Sequence, residues 1–189
     1  MLFPKSGNTS LLGSYLNNLQ IPTKRKVFIS YHHKNDQDWY DYFTGKFNDQ
    51  YEIFCDQSLD GRIRSDDTEY VNRRIREDFI VGSSITIVLC GTETWKRKYV
   101  DWEIYSTLHH EHALLGIALP RHYIENGKII VPARLHDNIA SGYARWIMWQ
   151  DNAAVLKQEI EAAISQIQNK LLIKPSLRND REKMGKNLS

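Results

Sequence analysis

At 189 residues the chain has room for one ordinary core or two very small ones. Its 25 Lys and Arg nearly balance 23 Asp and Glu, but residues 1–26 carry +4 and 174–189 carry +3, which leaves 27–173 at −5; a body of that charge is unsuited to neutralising phosphates, so no nucleic-acid partner is expected. Cys55 and Cys90 give neither a disulfide framework nor a zinc spacing, and no secretory leader or run of ~20 apolar residues is visible, so a reduced, soluble, cytoplasmic protein with no membrane partner is expected.

Residues 1–25 read as a loosely attached N-terminal arm, with a short helix at Leu11–Leu19. Val27–Tyr31 is a β-branched and aromatic run, and Asp36 to Phe47 carries apolar residues at 39, 43 and 47, one helical face. Tyr51–Cys55 alternates like a strand. The polar stretch from Gln57 to Asp67 leads to a helix with Val71, Ile75 and Phe79 on one face and Gly82 as its stop. Ser84–Cys90 reads as a fully buried strand, followed by a helix within 92–112. Leu114–Leu119 is a fourth strand, Lys128–Val131 a fifth ended by Pro132, and Trp146–Trp149 an extra short one. Asp151 or Asn152 then caps a long helix with apolar residues at 156, 160, 163, 164, 167 and 171. The tail, 174–189, is polar and reads as disordered.

Such alternation predicts an α/β fold with a central, mostly parallel five-stranded sheet between helical layers. In a 2-1-3-4-5 order the second and third strands flank the first, roughly 10 Å apart, so Cys55 and Cys90 are expected not to bridge. Ligands in such folds bind beyond the carboxyl ends of the strands, which singles out Ser30, Tyr31 and His32, then Asp56, then Gly91-Thr92.

No GxGxxG, GxxxxGK[ST] or GxSxG motif is present. One carboxylate stands out instead. Glu93 precedes Lys96 and Arg97 at ion-pair spacing, and Asp101 follows Arg97 and Lys98, but Glu103 has Tyr99, Val100, Ser106 and Thr107 at helical spacing and no cation among them. It borders an aromatic face of Trp95, Tyr99 and Trp102. Such an acid is either a perturbed functional group or a rim carboxylate bonded across to another element. His109, His110 and His112 have no matching ligand cluster elsewhere, so they read as a solvated helix end and no metal is expected. Trp146 and Trp149 read as core anchors.

These residues carry a family resemblance. Lys26-Val27-Phe28-Ile29-Ser30-Tyr31-His32 resembles the first strand and turn of a TIR domain, and Ser84–Gly91 followed by Tyr99-Val100-Asp101-Trp102-Glu103-Ile104 resembles its third strand and its aromatic-x-x-x-Glu helix. TIR-like proteins of bacterial antiphage defence, the Thoeris type, share the strand, threonine-bearing turn, aromatic and Glu-Ile in this order. The likeness covers roughly 26–120 of an expected TIR-like domain at 26–173.

It implies a flavodoxin-like sheet and cleavage of NAD, as substrate and not as cofactor, at the nicotinamide–ribose bond. It places the catalytic carboxylate at Glu103. Ser30, Tyr31, His32, Asp56, Trp95 and Tyr99 then become candidate substrate contacts. The product would be nicotinamide and an ADP-ribose-derived nucleotide, linear or cyclic, acting on a downstream effector. The likeness also implies self-association through TIR-type surfaces, with Gln57–Asp67 in the place of the loop TIR domains use for gating or self-association. The competing reading is a non-enzymatic TIR adaptor. A phosphoacceptor receiver is excluded, because it needs an acidic pair after the first strand and an Asp after the third, where this chain has Tyr31-His32 and Cys90-Gly91.

The family departs at Tyr99, where Trp is common, and at Arg97, where a small polar residue is common. Geometry adds a condition. A helix starting at Thr92 would carry Glu103 about 16 Å from the strand ends at ~1.5 Å per residue. Thr92–Lys96 is therefore predicted to be a loop or tight turn, with the regular helix starting near Arg97. The −5 body leaves any anionic dinucleotide to local donors such as Lys34, Arg62 or Arg64.

Overall fold

The computed structural model describes residues 24–55, 78–167, 170–174 and 185–188. Asp56, the Gln57–Asp67 segment with Arg62 and Arg64, and the Leu11–Leu19 helix lie outside the described residues.

A five-stranded parallel sheet runs β2-β1-β3-β4-β7, from β1 (Arg25–Ser30), β2 (Tyr51–Cys55), β3 (Ile85–Cys90), β4 (Ala113–Ala118) and β7 (Arg145–Met148). Every residue of β3 and β4 is buried, as strands covered on both faces must be, which is why their sequences are continuous apolar runs. Alternation splits them between two layers. Ile85, Ile87, Leu89, Leu115 and Ile117 face α1 (Gln37–Phe47) and α4 (Ala153–Gln166), meeting Phe43, Phe47, Leu156 and Ile160. Val88, Cys90 and Leu114 face α2 (Lys98–His109) and α3 (Ala133–Ala140), meeting Val100, Ile104, Leu108 and Leu135. The expected three-layer, flavodoxin-like α/β fold and its strand order are therefore present.

The identity of the fifth strand differs from expectation. Lys128–Pro132, β6, is not in the parallel sheet; it pairs antiparallel with β5 (Ile124–Glu125) and with β8 (Gly185–Leu188). The cause is local. Asn126 and Gly127 both adopt positive φ, 50° and 75°, the tight-turn geometry that folds a chain back as a hairpin. After Pro132 the chain forms α3, and this crossover delivers Arg145–Met148 as the fifth parallel strand. Four residues of the polar tail are likewise paired, as β8 on an edge of β6.

Gly116 and Trp146 are register partners in β4 and β7, and a Cβ at Gly116 would lie 2.6 Å from Trp146 Cε3 and 2.9 Å from Leu135 Cδ2. The absent side chain is the space the indole fills, so Trp146 is a core anchor as expected. Trp149 is the other, edge-on to Trp39 at 4.8 Å between ring centroids. Asn152, not Asp151, caps α4, its side chain accepting from the amides of Ala154 (2.9 Å) and Val155 (3.3 Å). That helix stops at Gln166, and Leu171 stands exposed in a separate 3-10 turn, Lys170–Leu172. Helical residues 78–82 end at Gly82 as predicted. Cys90 is a free, buried thiol, with β1 between its strand and that of Cys55. Among the described residues no helix is long and apolar enough to cross a membrane.

Candidate active site at the carboxyl edge of the sheet

Two turns meet beyond β1 and β3, next to the strand-order reversal where open parallel sheets bind ligands. The turn after β3 is short by construction. Thr94–Lys96 is a single 3-10 turn, Arg97 is extended (φ −90°, ψ 118°), and the α-helix begins at Lys98, as the placement of Glu103 required. Glu103 is thus five residues into α2, about 7–8 Å from its start.

Glu103 is buried, with 1% of its surface exposed. Residues one turn to either side fix its height over the sheet. Tyr99 reaches upward, its hydroxyl donating to the Tyr31 carbonyl at 3.1 Å. Thr107 reaches downward, its Oγ1 donating to the Glu103 carbonyl at 2.8 Å and lying 2.6 Å from Thr86 Oγ1 in β3. Side chains on a helix tilt toward its N-terminus, so the Glu103 carboxylate is directed toward the carboxyl edge of the sheet.

The other predicted residues divide. Ser30 and His32 are buried at the end of β1, and Ser30 Oγ and His32 Nε2 reach no hydrogen-bond partner among the described residues. Burial, reinforced by Arg97, lowers the His32 pKa, and its Nδ1 accepts from the Asn35 amide at 3.3 Å. The lowered pKa keeps the ring neutral at pH 7. The Tyr31 ring is committed to the core: its side chain is fully buried, stacked on Tyr40 at 4.7 Å, with its hydroxyl donating to Gln37 Oε1 at 2.8 Å. Tyr99 and Trp95 do not share one aromatic face. The extended residue at Arg97 breaks the helical wheel, so Tyr99 faces the β1 turn while Trp95 stacks on Tyr123 of the segment leading into β5, at 5.7 Å.

Glu93 makes the expected ion pairs with Lys96 and Arg97. Asp101 does not pair with its helical neighbours as the spacing suggested; Arg134 of α3 reaches it with both Nε (3.1 Å) and Nη2 (2.9 Å), because a forked pair to a buried guanidinium outcompetes solvated lysine. Among the described residues no three of His, Cys, Asp and Glu converge as metal ligands.

Sequence reasoning missed Asp36. It begins α1, is 1% exposed, and its carboxylate fills the space beside Gly91 where a Cβ would lie. Thr94 joins the two turns: its Oγ1 accepts from the Gly91 amide at 2.9 Å and lies 3.3 Å from Asp36 Oδ2 and from the Leu89 carbonyl. Arg121, after β4, clamps the same turn through Asp38 (2.6 Å) and the Asn35 carbonyl (3.1 Å). The only local sign of Asp36 was a polar residue at a helix start; its burial depends on a glycine 55 positions away.

Burial pushes the Asp36 carboxyl up to about 6, against the Thr94 hydrogen bond and Arg121, which pull it down. Between the ordinary value of 3.8 and about 6 the folded protein holds a proton that the unfolded chain has released. Stability therefore falls as pH rises through that window, by roughly 2–3 kcal/mol. Asp36→Asn, neutral throughout, should remove this slope and be the more stable protein above pH ~6. Urea midpoints between about pH 4 and pH 7 check it, and parallel profiles for the two proteins would contradict it.

The family described as "Thoeris protein ThsB, TIR-like domain" matches residues 28–123, just over half of the chain and close to the 26–120 of the sequence resemblance. No curated protein matches. Solved chains that match include the TIR domains in the structure of the activated Roq1 resistosome directly recognizing the pathogen effector XopQ, at 13% identity and a TM-score of 0.39, covering 79% of this chain and 78% of that one. The chain belongs to the family of TIR-like domains of the Thoeris protein ThsB.

Proposed function

We propose that this protein cleaves NAD at the nicotinamide–ribose bond, with Glu103 as the catalytic carboxylate, to release nicotinamide and an ADP-ribose-derived nucleotide. The observation that carries the reading is the position of Glu103: an acid 1% exposed, held between two pinned helical turns and directed at the carboxyl edge of a parallel sheet. Burying a carboxylate is costly, and a fold tolerates the cost where the charge has a task.

The chemistry asks little else. The C–N bond breaks with its electron pair going to the pyridinium nitrogen, which leaves as neutral nicotinamide and needs no general acid. Positive charge develops on the ribose, as in glycoside cleavage. A carboxylate accepting hydrogen bonds from the ribose hydroxyls stabilises that charge where water is excluded. Capture by water, with loss of a proton to solvent, gives ADP-ribose; capture by the substrate's own adenine or ribose gives a cyclic nucleotide. Ser30 supplies a buried polar atom for the ribose side of the site. In a cytoplasmic antiphage system the product would signal to an effector, and self-association would gather the active form.

Mass spectrometry of NAD incubations tests this, wild type against Glu103→Ala, with and without crowding agent or infected-cell extract. Nicotinamide released by wild type alone is the expected result. Equal turnover in the variant removes Glu103 from the chemistry, and no turnover under any condition leaves the adaptor reading.

A further inference from the structure

We propose that the donors gathered round Glu93 form a phosphate-binding site, which the Glu93 carboxylate occupies as an internal competitor when no ligand is bound. Asn35 Nδ2 (3.2 Å) and Arg97 Nη2 (3.0 Å) donate to Glu93 Oε2, and Lys96 Nζ donates to Oε1 at 3.0 Å. His32 Nε2 lies 3.8 Å from Oε2, too far for a hydrogen bond. Three donor side chains from two turns thus converge on one anion, with the His32 Nε2 beside them, at the edge where this fold binds ligands.

Two features separate this cluster from an ordinary surface network. The His32 side chain is 6% exposed and its Nε2 has no hydrogen-bond partner among the described residues; Arg97 Nε is buried in the same condition. A buried imidazole nitrogen 3.8 Å from the carboxylate and a buried guanidinium Nε, both left unbonded by it, fit a larger anion better than they fit this one. A carboxylate has two oxygens, whereas a phosphate ester or diphosphate offers three or more in a tetrahedral spread and carries more charge. Glu93 itself can leave: its side chain is 38% exposed and can swing into water at little cost. The site also gives an acidic body a local way to hold an anionic nucleotide.

The inference rests on the NAD reading only for the identity of the nucleotide; the anion site stands or falls on its own. The probe is therefore inorganic pyrophosphate, titrated calorimetrically into wild type, Glu93→Gln and Arg97→Gln, with thermal melts to show that each is folded. Glu93→Gln should bind pyrophosphate about 5–10-fold more tightly, the factor expected from releasing two half-exposed charge pairs. Arg97→Gln should weaken binding by a similar factor. In an active preparation the first variant should also lower the KM for NAD and leave kcat within about twofold. Unchanged or weaker pyrophosphate binding by Glu93→Gln overturns the proposal and makes Glu93 a structural brace. Tighter pyrophosphate binding in a protein that never cleaves NAD supports the anion site and sinks the enzymatic reading instead.

Discussion

Glu103→Gln should lower nicotinamide release by about 10²–10³-fold, the loss typical of removing one preorganised electrostatic contact to a charge that forms in the transition state. Glutamine has the same shape and keeps a carbonyl oxygen, so a loss of this size isolates the negative charge from packing and hydrogen bonding. Because the ribosyl cation exists only near the transition state, kcat and kcat/KM should fall together while KM stays near its wild-type value. The fold should survive, since Val100, Ile104 and Leu108 hold α2 to the sheet independently of this residue. Glu103→Asp sharpens the test: it keeps the charge but withdraws it by one methylene, and a misplacement of about 1 Å in a positioned group can cost ~10²-fold. Nicotinamide release measured at saturating NAD decides it, and a glutamine variant within tenfold of wild type would show that the buried acid is structural.

What the sequence made legible depended on how local the cause was. The runs Ile85–Cys90 and Ala113–Ala118 announce a doubly covered sheet because each residue alone is apolar enough to be inside. The start of α2 was readable because a single length argument, the distance of Glu103 from the strand ends, forced a turn at Thr94–Lys96. The short strands were not separable by composition: Lys128–Pro132 and Arg145–Met148 are both brief and mostly apolar behind a leading cation. The deciding signal, Asn126-Gly127, was present in the sequence as a hairpin turn. Asp101 chose Arg134, 33 residues away, over adjacent cations, and no spacing rule along one helix anticipates a partner on another. Glu93 shows both cases at once, since Lys96 and Arg97 were readable at helical spacing while Asn35 and His32 arrive from a different turn.

Gly91→Ala should be the most damaging single-methyl change at the site. The added Cβ would fall far inside contact distance of both carboxylate oxygens of Asp36, which is itself buried and tied to Thr94. Neither escape is cheap. If Asp36 rotates away, it abandons the Thr94 hydroxyl and needs room in a filled core. If the backbone at Gly91 moves instead, it carries with it the amide bonded to Thr94, the 3-10 turn and the entry to α2, and so displaces Glu103. Overpacking of this kind costs about 1–3 kcal/mol, and with a short buried acid as the obstacle the upper end is expected. For a domain of this size that is a fall in Tm of roughly 6–12 °C. The cause is checked by a double-mutant cycle. In an Asp36→Ala background the obstacle is gone, so Gly91→Ala should cost less than half as much, whereas equal costs in both backgrounds would show that the carboxylate is not what the glycine makes room for. Activity should follow the same coupling, because the glycine and the acid act on Glu103 through one shared turn.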